Sequence, residues 1–170
     1  MLNKKIETEL NKQVNAELYS AYFYLSMSAY LESINLSGFA HWMRIQAEEE
    51  QFHAMKIFDF INERGGRITL TEIRKPKTEW ENVISVAEEI YEHEQIVTNL
   101  INNIVDVAIE EKDHATNNFL QWFVAEQVEE ESNSENLLNQ LKMFDGKGHG
   151  LFMLDKELSN RTFVPPTTGE

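Results

Sequence analysis

The stretch Gln46-Ala47-Glu48-Glu49-Glu50-Gln51-Phe52-His53-Ala54-Met55-Lys56-Ile57 decides how the rest of the chain is read. It lies in a segment where Phe39, Met43, Gln46, Glu50, His53, Ile57 and Ile61 recur at alternating steps of three and four. Such spacing is that of a core-facing stripe close to the seam period of packed helices. Glu50 and His53 interrupt the stripe. At i and i+3 they share one helix face, with Cβ atoms about 5–6 Å apart, so both can reach one point in the interior.

Three further segments carry the same stripe. One reads Ile6, Leu10, Val14, Glu17, Ala21, Tyr24, Ser28, Leu31. A second reads Val83, Ala87, Ile90, Glu94, Val97, Ile101, Ile104, Ala108, and a third Phe123, Gln127, Glu130, Ser134, Leu137, Leu141. Each is broken near its middle by an acid or its amide analogue. Helices of similar length therefore bring Glu17, Glu50, His53, Glu94, Gln127 and Glu130 to one level. Ionised and unpaired, carboxylates there would each cost several kcal/mol. No matching set of lysines or arginines lies on the seams. Either metal cations sit among the acids, or a polar layer shares protons and sets helix register. Oxygen donors with one imidazole suit iron or manganese better than zinc. A lone Glu-x-x-His is common by chance; four coordinated interruptions carry the weight.

Outward from the seams, the organisation is all-α. An Asn3 cap opens helix A, which runs to about Ser33; Ile34 to Leu36 link it to helix B, with Ser37 as cap and an end at Gly65-Gly66. A stretch containing Pro76 follows. Helix C opens at the capping-box pattern Thr78-Glu79-Trp80-Glu81 and continues to about Glu110. Lys112-Asp113 precedes helix D, which ends near Asp145-Gly146. Short A–B and C–D links make each pair antiparallel. A helix of about 28 residues is roughly 42 Å long. The B–C stretch of about 15 residues spans about 50 Å extended, enough to run the bundle's length. The expected fold is a four-helix bundle (residues 1–145) with one long B–C crossover. A short fifth helix (146–160, apolar at Leu151, Leu154 and Leu158) and a mobile tail (161–170) complete a single domain. The fifth helix must dock on its own bundle or on symmetry mates. Gly146-Lys147-Gly148-His149-Gly150 lacks the Ser/Thr and preceding strand of a phosphate loop and reads as a hinge.

Composition narrows function by exclusion. The chain has 170 residues, 29 acidic against 15 basic, and a net charge of −14. That balance repels nucleic acid and anionic membranes and concentrates cations. With no cysteine, thiolate sites and cysteine nucleophiles are absent. Met1 to Leu10 is charged rather than apolar, and no long apolar run appears, so a cytoplasmic setting without membrane contact is expected.

The chain resembles the ferritin family, specifically the non-haem ferritins of prokaryotes. The likeness covers nearly its whole length, including Leu25-Ser26-Met27, Phe39-Ala40-His41-Trp42-Met43, Arg64-Gly65-Gly66, Glu126-Gln127-Val128-Glu129-Glu130 and Asp155-Lys156-Glu157-Leu158. It implies iron storage and detoxification through an intrabundle di-iron ferroxidase centre, with dioxygen or hydrogen peroxide as oxidant. Glu17, Glu50 and His53 would hold the first iron; Glu50 would bridge to a second held by Glu94 and Glu130, with Gln127 a neighbouring hydrogen-bonding group. Tyr24, two turns from Glu17, would be an electron donor or gate; the alternative is a packed core tyrosine. Glu49, Glu126 and Glu129 resemble a third iron site, or are solvated surface acids. The family implies a homo-oligomeric cage of 24 subunits enclosing a ferric mineral. Bacterioferritins differ: they carry Glu-x-x-His on helix D, where this chain reads Gln127-Val128-Glu129-Glu130, and a haem-binding methionine where it has Gln51. No haem is therefore expected. Animal ferritin channels use an acid near the start of helix D, where Asn117 stands here. His41, His93, His114 and His149 lack a partner at metal spacing and read as packing, surface or subunit-contact residues. Trp122 is a core or interface residue that could lie near the metal. The rival function is a non-storing di-iron oxidase or peroxidase.

Overall fold

A computed structural model describes residues 2–165, which form five α-helices and no strand. Helices α1 (Lys4–Ser33), α2 (Ser37–Glu63), α3 (Val83–Glu110) and α4 (His114–Met143) make the bundle, and α5 (Gly148–Leu158) follows. No helix among the described residues is long and apolar enough to cross a membrane.

Local chemistry sets most of the ends. The Asn3 side chain accepts from the Lys5 N–H at 2.8 Å and opens α1. At the end of α2, Gly65 takes φ +68°, and the Gly66 N–H returns to the Ile61 carbonyl at 2.8 Å. Two expected caps differ. Ser37 is the first helical residue of α2 rather than its cap, and Leu36 before it supplies no side-chain bond. Helix α3 opens at Asn82, not Thr78, through a reciprocal pair in which the Ser85 N–H reaches Asn82 Oδ1 and the Asn82 N–H reaches Ser85 Oγ. Trp80 holds the chain extended up to that point. It is buried against Phe23 and Tyr30, its indole N–H donates to Glu89 at 2.6 Å, and its carbonyl accepts from the Tyr30 hydroxyl at 2.9 Å.

Residues 64–82 run along the outside of α1 in register with it. Asn11 bonds the backbone of Arg67 and Thr69, Asn15 that of Glu72, Ser26 that of Lys77, and Tyr30 that of Trp80. The segment thus leaves α2 beside the N-terminus of α1 and delivers α3 beside its C-terminus. Helices α2 and α3 are consequently parallel, with a crossover spanning the bundle. The Arg64 guanidinium forks onto Asp113, which also caps α4. That clamp joins the end of α2 to the start of α4.

The core is divided. One apolar cluster packs around Phe23, Met27, Phe39, Met43, Ile90 and Leu141; the other packs around Ile6, Leu10, Ile57, Ile101, Ile104 and Phe123. The polar seam residues lie between them.

Helix α5 docks on its own bundle. Leu154 is buried in the first cluster, worth about 1.5–3 kcal/mol by apolar transfer. Asp155 accepts from the Phe39 N–H at 3.0 Å, satisfying the exposed N-terminus of α2. Beyond α5, Arg161 and Phe163 return to α2, against Glu49 and Phe52 respectively. Residues 166–170, the rest of the tail expected to be mobile, lie outside the described residues.

Candidate metal centre

The interrupted seams meet where their spacing placed them. Glu17, Glu50, His53, Glu94, Gln127 and Glu130 are all buried, none more than 5% exposed. Oxygens of Glu17 and Glu50 and a ring nitrogen of His53 all lie within 4.8 Å of one another. His53 Nδ1 stands 3.4 Å from Glu50 Oε2. Across from them, Glu94 accepts from the Tyr24 hydroxyl and, at 3.2 Å, from Gln127 Nε2. Glu130 accepts from Gln46 Nε2 at 3.0 Å. Tyr24 is fully buried and tied to a seam carboxylate rather than only packed.

The electrostatics are those of acids with too few cations. No lysine or arginine is among the buried residues described. Burial pushes Glu17 well above the usual carboxylate range, with Glu50 adding to the effect. Burial does the same to Glu50, reinforced by Glu94 and Glu130. Glu94 is raised to about 7 by burial, partly offset by the hydrogen bonds from Tyr24 and Gln127. Glu130 is raised to about 8, again by burial first and then by Glu94. The Tyr24 phenol is likewise pushed well up, by burial and then by Glu94. Each shift is led by the desolvation of a charge that the chain offsets only in part, through His53 at Glu17 and Glu94 and Arg161 at Glu130.

The donor set fits a metal. Glu17 Oε1 accepts from Gln13 Nε2 at 2.9 Å, but Glu17 Oε2, fully buried, has no hydrogen-bond partner. An orphaned carboxylate oxygen costs stability unless something binds it. Glu17 belongs to the same tight group as His53 and Glu50, and a divalent ion bound by these two carboxylates and one imidazole would remove the penalty.

Beside this group lies a second, shallower one. Glu49 and Glu126, both half-buried, gather with His53 within 4.8 Å. Glu129 lines the same cavity of about 360 Å³ but is exposed and outside the tight group. Burial raises Glu126 above the usual range, while His53 opposes the shift. His53 is thus common to both groups, which the helical spacing did not show.

Other residues missed from sequence are Gln13 and Gln46, which orient Glu17 and Glu130. Gln46 sits one turn before Glu50 on its own seam, where a search for polar seam residues finds it; Gln13 sits one turn before Glu17 but off the stripe, and its burial shows only in the fold. Trp122 stands edge-on to His53, with centroids 5.4 Å apart. His93 bonds Ser20 at 2.8 Å within an aromatic cluster, and burial lowers it to about 4. Among the described residues, only His53 of the five histidines joins such a carboxylate group.

A family model described as the ferritin-like domain matches residues 7–144. The bacterial non-heme ferritin of Bacteroides fragilis is 40% identical over 161 residues, covering 95% of this chain and 100% of that protein. The non-heme ferritin of Staphylococcus saprophyticus is 40% identical, covering 96% and 98%. Among solved structures, an engineered closed form of Archaeoglobus fulgidus ferritin superposes with a TM-score of 0.95 at 49% identity, covering 96% of this chain and all of that one. The open-pore ferritin of the same archaeon gives 0.94 at 49% identity, covering 95% and 100%.

Proposed function

The chain belongs to the ferritin-like domain family, and on that premise we propose that it binds ferrous iron at the buried carboxylate layer, oxidises it, and stores the ferric product inside a homo-oligomeric shell. One observation carries the site: Glu17 Oε2, buried and unpartnered, stands with Glu50 and His53 in an interior holding no cationic side chain among the described residues.

The roles proposed are those the likeness to the family implies, and the burial of these residues together supports them. Glu17, Glu50 and His53 take one Fe²⁺; Glu94 and Glu130 take a second, with Glu50 between the two. Two Fe²⁺ ions each give up one electron, and dioxygen with two protons becomes hydrogen peroxide. The carboxylates favour the product because Fe³⁺ gains more from anionic ligands than Fe²⁺ does. They also lose their protons on binding, which places proton acceptors and donors beside the oxidant. Gln127 and Gln46 hold Glu94 and Glu130 in place. Tyr24, bonded to Glu94, is placed to give a further electron or to gate the site. The outer group of Glu49, Glu126 and His53, with Glu129 at its rim, takes a third ion on its way to or from the store. The cytoplasm suits a chain without cysteine. A cage of 24 subunits is the assembly proposed, by likeness to the family.

The test is aerobic addition of Fe²⁺ to the metal-free protein, with iron counted in the size-exclusion peak. Fast oxidation with more than two irons retained per chain is expected. Glu50→Ala should abolish the fast phase and leave the shell assembled. Unchanged kinetics in that variant would refute the site, and retention of no more than two irons would favour a non-storing oxidase.

A further inference from the structure

The chain beyond α5 places a cation on the outer group. Arg161 Nη2 sits 2.8 Å from Glu49 Oε2, with both side chains largely shielded from water. Its other terminal nitrogen donates to Gln46 Oε1, and its guanidinium lies 5.0 Å from the centre of the Trp42 ring. The Arg161 carbonyl is 2.9 Å from His41 Nε2. Two residues on, Phe163 packs against Phe52 with ring centroids 5.7 Å apart. Arg161 to Val164 thereby form one wall of the cavity that holds Glu49, His53, Glu126 and Glu129.

We propose that Arg161 is a tethered cation that occupies Glu49 in competition with incoming metal, so that residues 161–164 gate the outer carboxylate group. The inference rests on the proposed iron-binding function. A guanidinium donates hydrogen bonds and cannot share an acceptor lone pair with a metal ion. While Arg161 holds one lone pair of Glu49 Oε2, its positive charge repels an ion arriving between Glu49 and Glu126, and its withdrawal restores the full negative charge of that group to the metal. Withdrawal is local. Residues 161–165 are non-helical, and the contacts named above tie them to α2.

The same guanidinium reaches the inner layer through one amide. By donating to Gln46 Oε1 it turns Gln46 Nε2 toward Glu130. Arg161 therefore engages Glu49 directly and positions Glu130 through Gln46. Withdrawal of Arg161 would remove its bond to Gln46, so the outer and inner groups are linked through a single side chain. Arg161 is in this sense a positioning residue for both.

Anaerobic titration calorimetry of the assembled full-length protein with Zn²⁺, a redox-inert probe, tests the gate. Arg161→Gln should tighten the weakest zinc-binding event roughly three- to ten-fold, the scale on which one partly shielded ion pair competes. The same substitution in a Glu49→Gln background should change zinc affinity much less, because the contested carboxylate is gone. Arg161→Lys, which keeps the charge, should stay near the wild-type value and controls for loss of packing. A merely structural strut would leave zinc affinity unchanged or weaker in Arg161→Gln; either result, with tighter events intact, overturns the gate alone. No zinc binding in any of the proteins overturns the iron-binding function, and the gate with it.

Discussion

Glu94 and Glu130 show what the buried layer costs when no metal is bound. Their carboxyls are raised to about 7 and about 8, above the ordinary value of 4.5, chiefly by burial. The folded chain thus holds these protons more tightly than the unfolded one. Their contribution to stability is complete below the unfolded value and is lost as pH rises through about 7 and then about 8. We expect the melting temperature of the metal-free protein to fall between about pH 5 and about pH 8.5, and to fall less in Glu130→Gln, which ends above the wild type at the alkaline limit. Parallel curves for the two proteins would remove Glu130 as a source of the effect. Glutamine is the suitable probe because it keeps the shape and can still accept from Gln46. At this scale much of the site was legible: six seam positions announced themselves by breaking an apolar stripe. Gln13 did not, because its burial depends on which neighbour covers it. The exclusion of Glu129 from the tight outer group also depends on side-chain aim rather than helical position.

Helix α5 illustrates how an element too short to stand alone is held. Gly38, at the start of α2, has the backbone of Asp155 so close that a Cβ there would fall 1.6 Å from the Asp155 carbonyl oxygen. Only glycine admits this approach, and it is the approach that lets Asp155 reach the Phe39 N–H. Gly38→Ala should therefore push α5 off its seat at a cost of about 1–3 kcal/mol. Thermal unfolding checks this: a melt within about 1 °C of wild type would show that α5 has room to shift. The bundle helices were readable in extent because a 3.6-residue period over several turns is a strong local signal. Their starts were less so. Thr78 to Glu81 has the letters of a capping box, yet Trp80 is drawn into the core and the turn is deferred to Asn82. A tertiary contact overrode a local preference.

Across the whole molecule, the net charge of −14 makes a field that draws cations in from solution. The initial rate of Fe²⁺ uptake, followed by stopped flow at low iron, should fall several-fold between about 0.01 M and about 1 M inert salt, as screening shortens to a few ångströms. A salt-independent rate would assign capture to the buried ligands alone. The chain's own sequence determined the four stripes, the level at which acids interrupt them, and, through loop lengths, which helices run parallel. Those properties are local: a period, a spacing and a reach. Only the tertiary structure decided that His53 serves two carboxylate groups, that Gln13 and Gln46 steer the ligands, and that Arg161 lies on Glu49, 112 positions away. Apart from the one-turn contact of Gln13 with Glu17, these contacts join segments whose separation no helical period encodes, and they exist only once the bundle's packing has brought distant parts of the chain together.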